Sequence, residues 1–318
     1  MRNAHRALML FAVITLLPLR AFAWHDMGHM LVAQVAYLRL TPAAKERVDK
    51  LLVTPESRRP LIHLCAGFYR AATCEKTYDP VTIAVWMDDF RGDSLNGEYD
   101  NWHYINYSPF FDGIPARTNV GPEPVNVLNR INWAVNTLRR GTGRDRTDAE
   151  TLGFLYHLVG DVHQPMHATT RYTAALPDGD SGGNLFRLKA AEGSPATSLH
   201  FFWDAAAGAF GYEEPRRPLD AAARARLRAL AEELLKAEGA DSLREAADLE
   251  PLHWVMESNK LAREVAYADI REGETPSRAY TERAQRVVRQ RITLGGLRLA
   301  GLLNMLFPPQ PPDGPAPR

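Results

Sequence analysis

Two pairs of residues four positions apart carry the most telling chemistry in this chain: His157 with Asp161, and His200 with Asp204. On a helix that spacing sets an imidazole beside a carboxylate on one face. His29, His103, His167 and Asp88 add further donors, each in a segment rich in apolar or aromatic residues. Singly, each suits a satisfied core or surface position, and a buried hydrogen-bonded His–Asp pair would account for either couple. Together they offer nitrogen and oxygen donors in a ratio that zinc accepts, with no thiolates to mark a purely structural site.

Trp24 joins this set on one condition. Its nitrogen becomes a free amine, five residues before His29, only if the chain is cut just ahead of it. Residues 1–23 read as a secretory leader. Arg2 and Arg6 give the positive end, Leu8 to Leu17 is apolar but too short to span a bilayer, and Ala21-Phe22-Ala23 is a small-x-small cleavage pattern. Cleavage between Ala23 and Trp24 is expected, giving a secreted or periplasmic product with no transmembrane anchor. The chain carries 38 basic and 38 acidic residues, and losing the leader removes three arginines, leaving −3 by the same count. Tracking a long nucleic-acid backbone by charge needs a basic face, which this balance does not supply. Gripping one phosphate with metals remains open.

The elements that must position these groups read as helices. Apolar residues recur at helical spacing from Gly28 to Leu52, with a break and restart at Thr41-Pro42, and further helices are expected near 79–90, 124–140, 148–164, 218–238, 251–272 and 276–306. Thr147-Asp148-Ala149-Glu150 reads as a capping box opening the helix that holds His157 and Asp161, and Pro165 closes it. That helix is apolar on most sides and so belongs inside the protein. An ionised Asp buried there costs several kcal/mol or more without a partner, so something positive must meet Asp161. Residues 92–123 and 170–198, rich in Gly, Pro, Asn and Asp, read as loops or short strands, with His103 in an extended stretch. The 218–238 segment reads as a surface helix. The expected organisation is a leader (1–23), one all-α, multi-helix domain (24–307) with a small β-hairpin or extended loops, and a disordered Pro-rich tail (308–318). Cys65 and Cys74, the only cysteines, suit one short disulfide in an oxidising compartment.

Six segments in order along the chain resemble one family. They are Trp24-His25-Asp26-Met27-Gly28-His29, Trp86-Met87-Asp88, Trp102-His103-Tyr104-Ile105, the run from His157 to His167, Gly182-Gly183-Asn184, and the run from Leu199 to Asp204. They resemble the secreted single-strand-specific zinc nucleases (the fungal S-one/P-one type, with plant and bacterial relatives), in the superfamily of the bacterial zinc-dependent phospholipases C. The resemblance implies an α-helical fold holding three Zn2+ in a cleft. One zinc would take Asp88, His103, His157 and Asp161; a second would take the Trp24 amine and carbonyl, His29 and Asp161; the third would take His167, His200 and Asp204. It implies in-line hydrolysis by a water that the metals acidify, with Asp88 orienting the nucleophile and Arg91 steadying the phosphoryl oxygens.

By the same resemblance Tyr104 and Asn106 fall where base contacts lie, and Asn184 either fixes a turn or meets substrate. Some relatives carry Asp in place of Asn106, and Ser198 replaces an Asn common two residues before His200. His163 is expected to pack behind the ligands, His25 to lie at the surface, and His63 and His253 to stand alone. Trp86, Trp102 and Trp203 are expected to wall the site. The implied activity is endonucleolytic cleavage of single-stranded DNA and RNA to 5′-phosphate products, with 3′-nucleotidase activity. Two rivals stay open: a phospholipase C using the same metals on phospholipid, and a periplasmic zinc-binding protein with no activity.

Overall fold

A computed structural model describes residues 24–53, 79–90, 97–237 and 239–309. The leader, Cys65 and Cys74, His63, Arg91 and most of the Pro-rich tail lie outside the described residues. Helices dominate the rest: α1 (Asp26–Leu38), α2 (Pro42–Val53), α3 (Val127–Arg140), α4 (Asp145–Val162), α5 (Leu199–Asp204), α6 (Ala221–Ala237), α7 (Ala240–Ala246), α8 (Pro251–Leu261) and α9 (Arg278–Leu306). The break before Pro42 falls where expected, because proline cannot continue the first helix but suits the first turn of the next. Asn126 starts α3 through a reciprocal capping box with Asn129, and Ser277 caps α9 by accepting from the Tyr280 N–H at 3.1 Å.

Several details depart from the sequence reading. Thr147 and Glu150 form no capping box, because α4 begins ahead of them, at Asp145, from an N-cap residue, Arg144, without a side-chain cap bond. Between them the Asp148 carboxylate accepts from the Thr142 N–H at 3.1 Å and hydroxyl at 2.8 Å and pairs with Arg47 at 3.2 Å, which ties down this earlier start. Thr82–Phe90 and Gly97–His103 wind as 3-10 helices, and His103 therefore ends a helical turn rather than lying in an extended stretch. Among the described residues the paired strands are not a hairpin. Phe110–Phe111 (β1) lies parallel to Arg171–Tyr172 (β2), two segments 60 residues apart, because the chain leaving His103 runs alongside the chain leaving His167. The expected 251–272 helix is α8 followed by a single π-helical turn, Ala262–Ala266. The surface helix expected in the 218–238 segment is α6, which buries only Leu227, Ala231 and Leu234.

Two helices form the centre. Every residue of α1 from Met27 to Ala36 is buried, as is every residue from Thr151 to Thr170 in α4 and the turn after it. Trp24, Trp86, Trp203 and Trp254 are fully enclosed, and burying a large apolar side chain contributes roughly 1.5–3 kcal/mol. The long α9 packs along α1, and Gly296 makes the close approach possible: a Cβ there would fall 2.5 Å from Val35. The polar groups on α1 and α4 are thus immersed from all sides and must be satisfied by one another or by a ligand.

Candidate metal centre

Asp161 lies at the middle of the site with no exposed surface. Its position on α4, one turn after His157, brings His157 Nε2 within 3.1 Å of Oδ2. The 3-10 turn ending at His103 brings that ring's Nδ1 to the same oxygen at 3.1 Å. The other oxygen, Oδ1, faces His29 Nε2 from α1 at 3.5 Å and His167 Nδ1 at 3.7 Å. Asp88 closes the group, 3.6 Å from His157, 3.7 Å from His103 and 3.9 Å from His29. A second cluster adjoins it, with His200 Nε2 at 3.2 Å from Asp204 Oδ2 and His167 Nε2 at 3.7 Å from Asp204 Oδ1. Three groups have donor atoms close enough to hold a metal ion: His29–Asp88–His157, His103–His157–Asp161 and His167–His200–Asp204.

The fit to a metal rests on three observations. First, a tetrahedral ion with bonds of about 2.0–2.1 Å sets its ligand atoms roughly 3.3 Å apart, and these separations run from 3.1 to 3.9 Å. Second, three rings donate their outer N–H to main-chain carbonyls. His157 Nδ1 meets Ala84 O at 2.6 Å, His167 Nδ1 meets His103 O at 2.7 Å, and His200 Nδ1 meets Gly182 O at 2.7 Å. That arrangement fixes the tautomer of a ligating imidazole and aims its lone pair at the cluster. Lone pairs aimed at carboxylate oxygens repel unless a cation lies between them. Third, both nitrogens of His29, Asp161 Oδ1, His167 Nε2 and Asp204 Oδ2 are buried without a hydrogen bond among the described residues, an arrangement that is costly without a further partner.

Electrostatics reinforce this. Burial alone would raise Asp161, but the His157 charge and the close imidazoles of His103, His157 and His29 outweigh it and hold the carboxyl well below its usual range. Burial alone would lower His157, yet Asp161 and Asp88 lift it to about 9. His29 is lowered, by burial and then by the His157 charge. A ligand must offer a lone pair, so a metal entering here displaces the His157 proton.

Trp24 is held at this site by its own contacts. Its indole N–H donates to Gly160 O at 2.9 Å, one residue from Asp161, while the next residue's N–H donates to Asp204 O at 3.0 Å. The chain's similarity to known proteins agrees with this geometry. Residues 24–308 match the S1/P1 Nuclease family model. The chain belongs to the S1/P1 nuclease family. It is therefore a hydrolase of nucleic-acid phosphodiester bonds. The nuclease is 33% identical to Endonuclease 1 of Arabidopsis thaliana, covering 96% of this chain and 94% of the relative. It is 26% identical to Endonuclease 3 of the same plant, covering 93% and 92%. It is 21% identical to Nuclease S1 of Aspergillus oryzae, covering 63% and 59%.

Around the centre, several side chains of the nuclease are held by neighbours of their own. Asn106 is locked at both ends, its amide donating to Glu123 and its carbonyl accepting from Thr170. Tyr104 donates to Asn101 Oδ1 at 2.8 Å. Asn184 fixes a turn by donating to Ser181 O at 2.8 Å. Ser198 is the N-cap of α5, accepting from the Phe201 N–H at 3.2 Å, so the residue replacing the usual Asn still sets the start of the helix that presents His200. His25 is not a plain surface residue: it lies 3.2 Å from Glu214 and packs edge-on against Phe201.

Beneath the site is a network the sequence reading missed. Arg291 and Arg298 of α9 are almost fully buried and share Glu257, the closest contacts being 2.7 and 2.6 Å. Arg298 also reaches His163 Nε2 at 3.0 Å, and Arg291 donates to His163 O at 3.2 Å, bracing the turn between Asp161 and His167. Burial and the two arginine charges keep His163 well below the usual histidine range and so neutral. The signal was present, since both arginines fall on the apolar stripe of α9 with Val288, Ile292 and Leu299.

Gly160 gives a direct test of the packing. A Cβ there would lie 2.6 Å from His29 Nδ1 and 3.0 Å from its Cε1. Alanine favours the helix itself by up to about 1 kcal/mol, so Gly160→Ala should fold. It should nevertheless lose about 10²-fold in kcat/KM, the scale of an ångström-sized misplacement at a reacting centre. Steady-state kinetics beside a thermal melt check this.

Proposed function

We propose that the chain, cut after Ala23, is a secreted or periplasmic tri-zinc endonuclease that cleaves single-stranded DNA and RNA to 5′-phosphate products and acts as a 3′-nucleotidase. The observation that carries the reading is Asp161, whose two oxygens face different sets of imidazoles, as a carboxylate shared by two metals must. The printed names of the relatives, Endonuclease 1 and Nuclease S1, support it. So does the lack, among the described residues, of any helix long and apolar enough to cross a membrane.

In this reading Asp88, His103, His157 and Asp161 hold one zinc; the Trp24 amine and carbonyl, His29 and Asp161 hold a second; His167, His200 and Asp204 hold the third. Bound zinc supplies Lewis-acid charge for the phosphodiester and lowers the pKa of water toward neutrality. Asp88 keeps 11% of its side chain exposed while Asp161 and Asp204 keep 0% and 1%. It is therefore the carboxylate that reaches the mouth and orients the attacking water. Trp86 and Trp203, fully buried beside the ligands, exclude bulk solvent. Arg91 steadies the phosphoryl oxygens, Tyr104 stacks on a base, and the locked Asn106 and Asn184 shape the pocket that receives it; stacking is worth roughly 1–3 kcal/mol per base.

The purified exported chain should hydrolyse single-stranded DNA, RNA and a 3′-nucleotide, with chelator abolishing turnover and zinc restoring it. Turnover of phosphatidylcholine alone would move the assignment to a phospholipase C, and an inert protein with full zinc would make it a binding protein. A one-residue extension before Trp24 should lower zinc content by about one equivalent, because an amide nitrogen, its lone pair delocalised into the peptide bond, cannot replace an amine. Equal zinc content and equal rate in the two forms would refute this N-terminal role.

A further inference from the structure

We propose that Glu214 and Arg217 form a clamp that positions both the cut N-terminus and Asp88, acting through residues 25–27 and Asp89. The inference rests on the metal assignment above.

The opening of α1 lacks its own cap. His25 occupies the N-cap position without a side-chain cap bond, although the first N–H groups of a helix need acceptors. Glu214, 187 residues further on, supplies one: its Oε2 accepts from the Met27 N–H at 2.8 Å. Its Oε1 lies 3.2 Å from His25 Nδ1. Three residues later, Arg217 Nε meets Asp26 Oδ2 at 3.1 Å. The far end of the same guanidinium grips Asp89 in a two-pronged pair, at 2.8 and 2.6 Å. Residues 25, 26 and 27 are therefore each tied to one four-residue segment, and so is the neighbour of Asp88.

These contacts are not surface decoration. Exposed ion pairs are worth little, but the Arg217 side chain keeps only 8% of its surface and Asp89 only 9%. A two-pronged guanidinium–carboxylate pair fixes direction as well as distance. A chain terminus is ordinarily the most mobile part of a domain. A terminal ligand held in place beforehand spares the binding step the cost of ordering it. One guanidinium thus links the segment that ends at the Trp24 amine to the segment that carries Asp88, the two flanks of the paired zinc site. The Arg217 side-chain bonds go to Asp26 and Asp89, whereas the clamped segment meets the third group through one main-chain bond, His25 N–H to Asp204 O at 3.0 Å, so the third zinc serves as the less affected reference.

The test uses the full chain exported with its own leader, its start at Trp24 verified by mass. Zinc per protein is measured after dialysis against a series of zinc buffers, with denaturant unfolding run alongside. Outer partners of metal ligands are worth roughly 10–100-fold in affinity. Arg217→Ala should weaken binding at the paired site by that factor while the third zinc keeps its wild-type affinity. Arg217→Lys should stay weakened, since an ammonium cannot span both carboxylates. Glu214→Gln, which still accepts from the Met27 N–H, should hold zinc as the wild type does, whereas Glu214→Ala should not. Should Arg217→Ala fail to fold, the Glu214 pair decides. Unchanged affinities in both alanine variants would overturn the clamp, as would equal weakening at all three positions. A wild-type chain that binds no zinc would overturn the metal assignment and the clamp with it.

Discussion

Asp161→Asn is expected to remove more than one zinc and to lower kcat by about 10³-fold or more, beyond the 10²–10³ attached to a single electrostatic stabiliser. The substitution is nearly isosteric, so packing on α4 is preserved. What changes is that one oxygen becomes an NH2 group with no lone pair to give. Oδ2 serves His103 and His157 at 3.1 Å each, and Oδ1 serves His29 at 3.5 Å. Whichever way the amide turns, one of these sets meets a donor instead of an acceptor, and the other keeps only a neutral amide oxygen in place of the charged carboxylate. Metal analysis of the dialysed variant beside its kinetics checks the claim. Loss of a single zinc would restrict Asp161 to one ion, and full zinc retention would contradict the shared carboxylate outright.

Glu257→Ala is the variant expected to cost the most stability. It leaves Arg291 and Arg298, with side chains 3% and 0% exposed, without their common counter-charge. Breaking a buried pair costs about 3–5 kcal/mol, and the lower end applies because the Glu257 side chain keeps 32% of its surface in water. The pH dependence follows from the direction of its shift. Burial alone would raise Glu257, but the Arg298 bond and the Arg291 charge outweigh it and hold the carboxyl below its usual value near 4.5. The folded form thus binds its proton more weakly than the unfolded chain does. The stabilisation is fully present above about pH 4.5 and is lost as the pH falls through the lower folded value. Denaturant unfolding from pH 3 to 7 should show the gap between wild type and Glu257→Gln narrowing at the acid end. A constant gap would mean that charge pairing is not the source.

The sequence was informative wherever one local pattern decided the outcome. Long runs of apolar residues at helical spacing announced α1, α4 and α9, and the spacing of His157 with Asp161 and of His200 with Asp204 pointed to two of the groups that could hold a metal ion. It misled where a distant partner competed. Thr147 and Glu150 have the spacing of a capping box, yet α4 starts ahead of them, where Thr142 and Arg47 hold the Asp148 carboxylate. Nor does any local pattern show that Glu123 and Thr170 hold both ends of the Asn106 amide. The parallel pairing of β1 with β2 depends on two loops leaving the same site side by side, which no alternation of residue types records. Glu214 and Arg217 sit in an unremarkable acidic and basic stretch, and their purpose shows only once α1 and Asp89 are folded against them.

Among the described residues, the three groups able to hold a metal ion all lie at or before residue 204, which makes the first two-thirds of the chain look like a minimal enzyme. The turn that carries Asp161, His163 and His167 is nevertheless tied at its carbonyls by Ser258 and Arg291, and its imidazole at position 163 is met by Arg298. The foundation is thus synthesised after all of those donors. A fragment ending soon after Asp204 would carry all three groups on a scaffold with no floor, and the ribosome must make the 29-residue α9 before the turn that holds Asp161 and His167 is braced.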